Sequence, residues 1–166
     1  MKTLNYGFIA IWLIVLGAAG AYPAENQAAG TGAQVHIYAS PKAIIWAPAP
    51  PVVPKGAEAA VLDGNPFASS GSYTLRLKMP TGYKIPPHWH PTDENVTVLS
   101  GTLGAGMGDK FDKSSASLLK AGGFVCMPKD VHHYAWAQGP TTIQVHGLAP
   151  FAFTYVNPSD DPRNKH

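Results

Sequence analysis

Residues 82–101, GYKIPPHWHPTDENVTVLSG, decide how the rest of the chain is read. Within them His88, His90 and Glu94 offer two imidazoles and a carboxylate, donor types that hold a divalent metal ion. Side chains alternate along an extended strand, so His88 and His90 share one face while Trp89 takes the other. Pro91, Thr92 and Asp93 are turn formers, and the run ENVTVLS that follows is rich in β-prone residues. The spacing predicts a hairpin bend that returns Glu94 to the two histidines.

Sixteen Pro and seventeen Gly in 166 residues argue against long helices and for short strands joined by tight turns. Just upstream, residues 72–79 alternate: Tyr73, Leu75 and Leu77 lie on one face, Thr74, Arg76 and Lys78 on the other, a strand buried on one side. Residues 59–62 read as a strand before the turn Asp63-Gly64-Asn65-Pro66. Residues 35–38 and 44–46 are short β-prone runs, and APAPPVVP after them reads as extended, polyproline-like chain. Downstream, residues 102–107, 124–127, 133–137, 141–146 and 151–156 read as further strands. Gln138-Gly139-Pro140 signals a hairpin, and residues 111–119, with Asp112 as N-cap, a single short helix. Eight or more short strands at this spacing predict an antiparallel sandwich or barrel.

The N-terminus has the physics of an export signal. Lys2 precedes the apolar run GFIAIWLIVLG, and Ala19-Gly20-Ala21 offers a small-residue cleavage site before Tyr22. The organisation expected is a signal peptide at 1–21, a flexible linker at 22–34, a barrel domain at 35–157 and a polar tail at 158–166 that ends on a solvated His166. An uncleaved anchor is the alternative, since the apolar run approaches spanning length. Cleavage leaves no stable membrane anchor and an exported protein, periplasmic or secreted. A net charge of +2 without a basic stripe excludes nucleic acid as a partner. Cys126, the single cysteine, cannot form an intrachain disulfide and reads as a small buried hydrophobe in GFVCMP. His36 reads as structural or exposed.

The opening stretch matches the first motif of the cupin superfamily at Gly82, His88, His90, Glu94 and Gly101, and the chain resembles that superfamily over roughly residues 72–155. The second motif begins at Gly122, passes through Pro128 and places its histidine at His133, with His132 the neighbour in the opposite register. Two positions depart from it. Asp130 stands where the family has glycine, a mild change because Asp tolerates left-handed backbone, and Ala137 replaces an asparagine.

The resemblance implies an all-β fold, an antiparallel jelly-roll β-barrel. It implies a metal set of His88, His90, Glu94 and His133 around iron, manganese, nickel, cobalt or zinc. Four donors fill a tetrahedral zinc, whereas octahedral metals keep two positions open. An oxygenase-type or isomerase-type enzyme acting on a small organic molecule is expected. The alternative is a non-catalytic metal- or small-molecule-binding module. Catalytic residues beyond the metal set are not assigned.

With His133 inward, alternation places Ala135 and Ala137 beside it and turns Tyr134 and Trp136 outward. Those aromatics need cover, from the segment around Trp46 or from the second subunit of a homodimer. Gln144 and His146 share a face of their strand, which is either pocket-facing or an outward polar face.

Overall fold

The computed structural model describes residues 40–165. The predicted signal peptide, the linker, the run at 35–38 with His36, and His166 lie outside them. Among the described residues no helix is long and apolar enough to cross a membrane.

Among the described residues eleven strands run β1 (Ala47–Pro48), β2 (Glu58–Gly64), β3 (Ser72–Met79), β4 (Lys84–Trp89), β5 (Glu94–Ser100) and β6 (Thr102–Met107), then β7 (Ser117–Lys120), β8 (Phe124–Met127), β9 (His133–Ala137), β10 (Thr141–Leu148) and β11 (Thr154–Tyr155). The alternation in β3 is realised as expected: Tyr73, Leu75, Leu77 and Met79 are each 2% exposed, and the residues between them are half-buried. Two sheets result, ordered β1-β2-β3-β10-β5-β8 and β11-β4-β9-β6-β7, with every strand pair antiparallel. Leu75, Val96, Val98 and Val145 of the first sheet pack against Ile85, Leu103 and Ala137 of the second. This is an all-β jelly roll.

The expected hairpins become crossings. β4 lies in the smaller sheet and β5 in the larger, so the bend at Pro91 to Asp93 carries the chain across the core instead of pairing the strands it joins. The turn at Gln138 to Pro140 does the same between β9 and β10. Turn chemistry reverses a chain, but which sheet receives it is set by long-range burial of the apolar faces.

Residues 111–119 also differ from expectation. Asp112 does cap a helical turn, accepting from the Ser114 N–H at 2.8 Å, but the turn is a single 3-10 turn at Lys113–Ser115. Ser117–Lys120 is strand, paired with β6 from Thr102↔Lys120 to Ala105↔Ser117. So short a helix has little beyond its nucleation cost, whereas the strand gains a full ladder. Cys126 is exposed, which corrects its reading as a buried hydrophobe. β8 is an edge strand of its sheet, and alternation turns Val125 and Met127 inward and Phe124 and Cys126 out to water.

Tyr134 and Trp136 do point away from the barrel, yet they are only 0% and 4% exposed. Their cover is the chain's own loop after β6. Phe111 packs on both rings, with centroids 5.1 and 5.6 Å away, and the Tyr134 hydroxyl donates to the Asp112 carbonyl at 2.6 Å. Underneath, Gly104 and Gly106 leave the rings room: a Cβ there would sit 2.2 Å from Trp136 and 2.3 Å from Tyr134. Trp46 is engaged elsewhere, its ring 3.8 Å from the Lys78 ammonium. The polar tail is tied down by the Arg163 guanidinium, which donates to the Phe153 carbonyl at 3.1 Å.

Candidate metal centre

Three strands and one bend converge on a single point in the core. His88 at the end of β4 and His133 at the start of β9 are direct cross-strand partners, and His90 follows two residues after His88. The imidazole centroids are 4.3 Å apart for His88 and His133, 4.9 Å for His88 and His90, and 5.1 Å for His90 and His133. One nitrogen from each ring lies within 4.8 Å of the others. Glu94, at the start of β5 on the opposite sheet, brings Oε2 to 3.7 Å from both His90 Nε2 and His133 Nε2. The structure thus brings together all four residues predicted from the sequence.

The hydrogen bonds around the rings define their chemistry. Nδ1 of His88 faces the Pro86 carbonyl at 2.7 Å, Nδ1 of His90 the Ala152 carbonyl at 2.7 Å, and Nδ1 of His133 the Val131 carbonyl at 2.9 Å. A carbonyl only accepts, so each Nδ1 carries the hydrogen and each ring, when neutral, presents a bare lone pair at Nε2. Nε2 of His90 and of His133 are buried with no hydrogen-bond partner. Burying such groups unpaired is costly, and a cation held between them and Glu94 would satisfy both. The residues present fit a divalent metal ion.

Electrostatics favour ligation at His88 and Glu94, and proton retention at His90. Burial pushes His88 well below the ordinary imidazole range, and His133 and His90 add to it, which favours the neutral ring that ligates. For His90 burial acts downward too, but the charge and proximity of Glu94 outweigh it and the net shift is upward. Burial alone would raise Glu94; His90 first and then His133 overcome it and hold the carboxyl far below the usual carboxylate range. A carboxylate thus stays ionised beside three imidazoles.

The backbone details match the motif's departures. Asp130 occupies the left-handed region with φ 62°, as expected for a residue standing in for glycine, and its N–H donates to the His90 carbonyl at 2.9 Å. Ala137 is fully buried in the core, where it has no polar group to offer. His132 points away from the centre, and its Nδ1 meets Asp109 at 2.6 Å on the surface. Gln144 and His146 also face outward: Gln144 accepts from the Arg76 guanidinium at 3.1 Å and His146 is exposed, while Ile143 and Val145 take the inner face.

One part of the centre was not foreseen. Residues 151–155 form its back wall, with Phe153 stacked on His88 at 4.5 Å and 16°, and Phe151 stacked on His90 at 5.8 Å and 19°. Only Thr154–Tyr155 of the expected strand pairs in the sheet. The alternation of Phe151, Phe153 and Tyr155 was the available signal, but nothing local says that their shared face meets the histidines.

A two-sheet jelly roll carrying three histidines and a glutamate at its centre defines a class of proteins. The cupin domain family matches residues 75–147, and the chain belongs to the cupin superfamily. Among solved structures it is similar to the polyketide cyclase RemF from Streptomyces resistomycificus, at 19% identity and TM-score 0.58, covering 77% of this chain and 90% of that one. It is similar to an acetylacetone dioxygenase from Acinetobacter johnsonii at 15% identity and TM-score 0.57, covering 77% and 81%. An RmlC-like cupin from Shewanella frigidimarina NCIMB 400 follows at 13% identity and TM-score 0.53, covering 69% and 91%. At these identities the likeness is one of fold. No curated protein matches the chain.

Proposed function

We propose that this protein is an exported, divalent-metal-dependent cupin enzyme acting on a small organic molecule. The observation that carries the metal reading is the pair of buried, partnerless Nε2 atoms of His90 and His133 facing Glu94. His88, His90 and His133 would hold the ion through Nε2 and Glu94 through its carboxylate. Bound there, the ion supplies Lewis-acid polarisation of a carbonyl or enediol oxygen and, for iron or manganese, access to dioxygen chemistry.

The chain's own residues do the rest. The carbonyls of Pro86, Ala152 and Val131 fix the three ring orientations, Glu94 balances positive charge in an apolar interior, and Phe151 and Phe153 exclude water from one side. Support for an enzyme comes from the named activities of the polyketide cyclase and the dioxygenase that share the fold.

One observation favours a second reading, a non-catalytic binding module: the cavity at the donors is only about 20 Å³. Metal analysis of the purified protein, followed by an oxygen-uptake screen over small diketones, phenols and thiols, separates the two. Iron or manganese with turnover supports the enzyme; stoichiometric zinc without turnover supports the module; absence of any metal from protein purified without chelator overturns both. The export reading rests on Lys2, the apolar run after it and Ala19-Gly20-Ala21, and a mature chain that does not begin at Tyr22 would count against it.

A further inference from the structure

Along one seam of the jelly roll β7 is an edge of the five-stranded sheet and β8 an edge of the six-stranded one, and a groove of about 370 Å³ lies against them. Its wall includes Ala105 and Met107 of β6, Ser117 and Leu119 of β7, and Val125 and Met127 of β8. The 20 Å³ cavity at the candidate metal centre is walled by His88, Glu94 and His133 together with apolar side chains such as Leu77, Leu103 and Phe153. Val125 and Met127 belong to both walls. Those two side chains are therefore the partition between the groove and the metal donors.

Size separates the two spaces. A cavity needs roughly 10–15 Å³ to hold one water, so the inner space takes little more than that. The groove falls within the span of about 300–1,000 Å³ usual for small-molecule sites. The body of a ligand fits only in the groove, and only its tip can approach the histidines. Met127, 3% exposed, is the side chain it would have to displace, and an unbranched thioether has the rotamer freedom to move aside.

Wall chemistry then selects the ligand. Among the described residues neither wall contains Lys, Arg or Asp, and Glu94 is the one carboxylate. The Ser115 hydroxyl already meets Tyr134 and the Asp112 carbonyl, which leaves Ser117 as the free hydroxyl of the groove. An anion would lose its hydration here without gaining a cation, and a polyol would leave hydroxyls unpaired.

We propose that the seam groove binds an uncharged, mainly apolar organic molecule with a carbonyl or hydroxyl oxygen at one end, and that Met127 and Val125 gate the passage of that end to the metal donors. The gate rests on the metal-centre reading; the groove does not.

The test uses two probes of equal size, acetophenone and benzoate, titrated into metal-free protein with labelled Met, Leu and Val methyls. Acetophenone is expected to shift the Met127, Val125 and Leu119 signals, with benzoate at least about tenfold weaker. Ser117 is exposed, so Ser117→Arg adds a cation without disturbing the core and is expected to reverse that preference. Equal or tighter benzoate binding to the unaltered protein, or shifts indifferent to Ser117→Arg, overturns the groove.

For the gate, manganese-loaded protein is expected to relax the acetophenone methyl protons. Met127→Trp should suppress that relaxation and Met127→Ala enhance it, both at unchanged manganese content. Relaxation insensitive to both variants overturns the gate. A wild-type protein that takes up no manganese overturns the gate together with the metal-centre reading, while the methyl shifts still decide the groove.

Discussion

The two faces of β9 are both buried, for opposite reasons. Outward, Tyr134 and Trp136 lie under Phe111 and against Gly104 and Gly106, and the buried Tyr134 hydroxyl finds partners. Inward, His133 is as buried as they are, at 2%, yet its Nε2 has no hydrogen-bond partner. The first face is complete as it stands and stabilises the fold. The second leaves a buried donor atom unmet, which the proposed cation would satisfy. Burial by itself does not separate a packing residue from a chemical one; the unmet polar atom does.

The largest effect expected from breaking that contrast lies on the packing face. Trp136→Ala should cost about 3–5 kcal/mol in urea unfolding, the range for deleting a large buried aromatic. Metal stoichiometry of the remaining folded protein should not change. A variant that loses metal in proportion to stability would mean that the two faces are not independent.

On the chemical face, His133→Ala should weaken metal binding by more than about a hundredfold, a larger loss than removing a supporting residue around a metal site produces. Metal at about 100 times its dissociation constant should stabilise the wild type by about 2.7 kcal/mol, and the same concentration should leave His133→Ala unshifted in a thermal melt. Equal stabilisation of both proteins would show that the ion binds elsewhere.

How legible this was differs between the two faces. The clustering of the four side chains was readable because the motif fixes their spacing, and strand alternation fixes which residues share a side. Even the substitution at Asp130 was interpretable, since its φ of 62° is a local property of the residue. The packing face was not. That Phe111 covers Trp136, and that Gly104 and Gly106 exist to admit the rings, depends on β6 and β9 pairing as Gly104↔Trp136 and Gly106↔Tyr134, contacts distant in sequence. The wall of Phe151 and Phe153 escaped for the same reason. So did the sheet crossings, because Pro91 to Asp93 announces a reversal without naming the sheet that follows.

Cys126 sharpens the point at smaller scale. Inside GFVCMP it looks buried, but the edge position of β8 leaves the outer face in water. Cys126→Ser should therefore change stability by no more than about 0.5 kcal/mol, the usual bound for surface positions. Its thiol should react with a maleimide in the native protein at the rate of an unfolded control. Slow labelling would mean that something covers this edge in solution, and light scattering would show whether a second copy does.

The smallest effect on metal binding is expected one residue from the largest. His132 precedes His133 and is the same residue type, but alternation sends it outward to a hydrogen bond with Asp109 that is largely open to water. Exposed pairs contribute about 0–1 kcal/mol, so His132→Ala should cost that little and leave metal affinity within about twofold. Because the two histidines are adjacent, this comparison holds composition, strand and local charge nearly constant and varies only the face. Loss of metal in His132→Ala with retention in His133→Ala would require β9 to be shifted by one residue, which would also turn Tyr134 and Trp136 into the barrel. The packing of those rings on Gly104 and Gly106 opposes that shift, so the face built for stability also sets the register of the face built for chemistry.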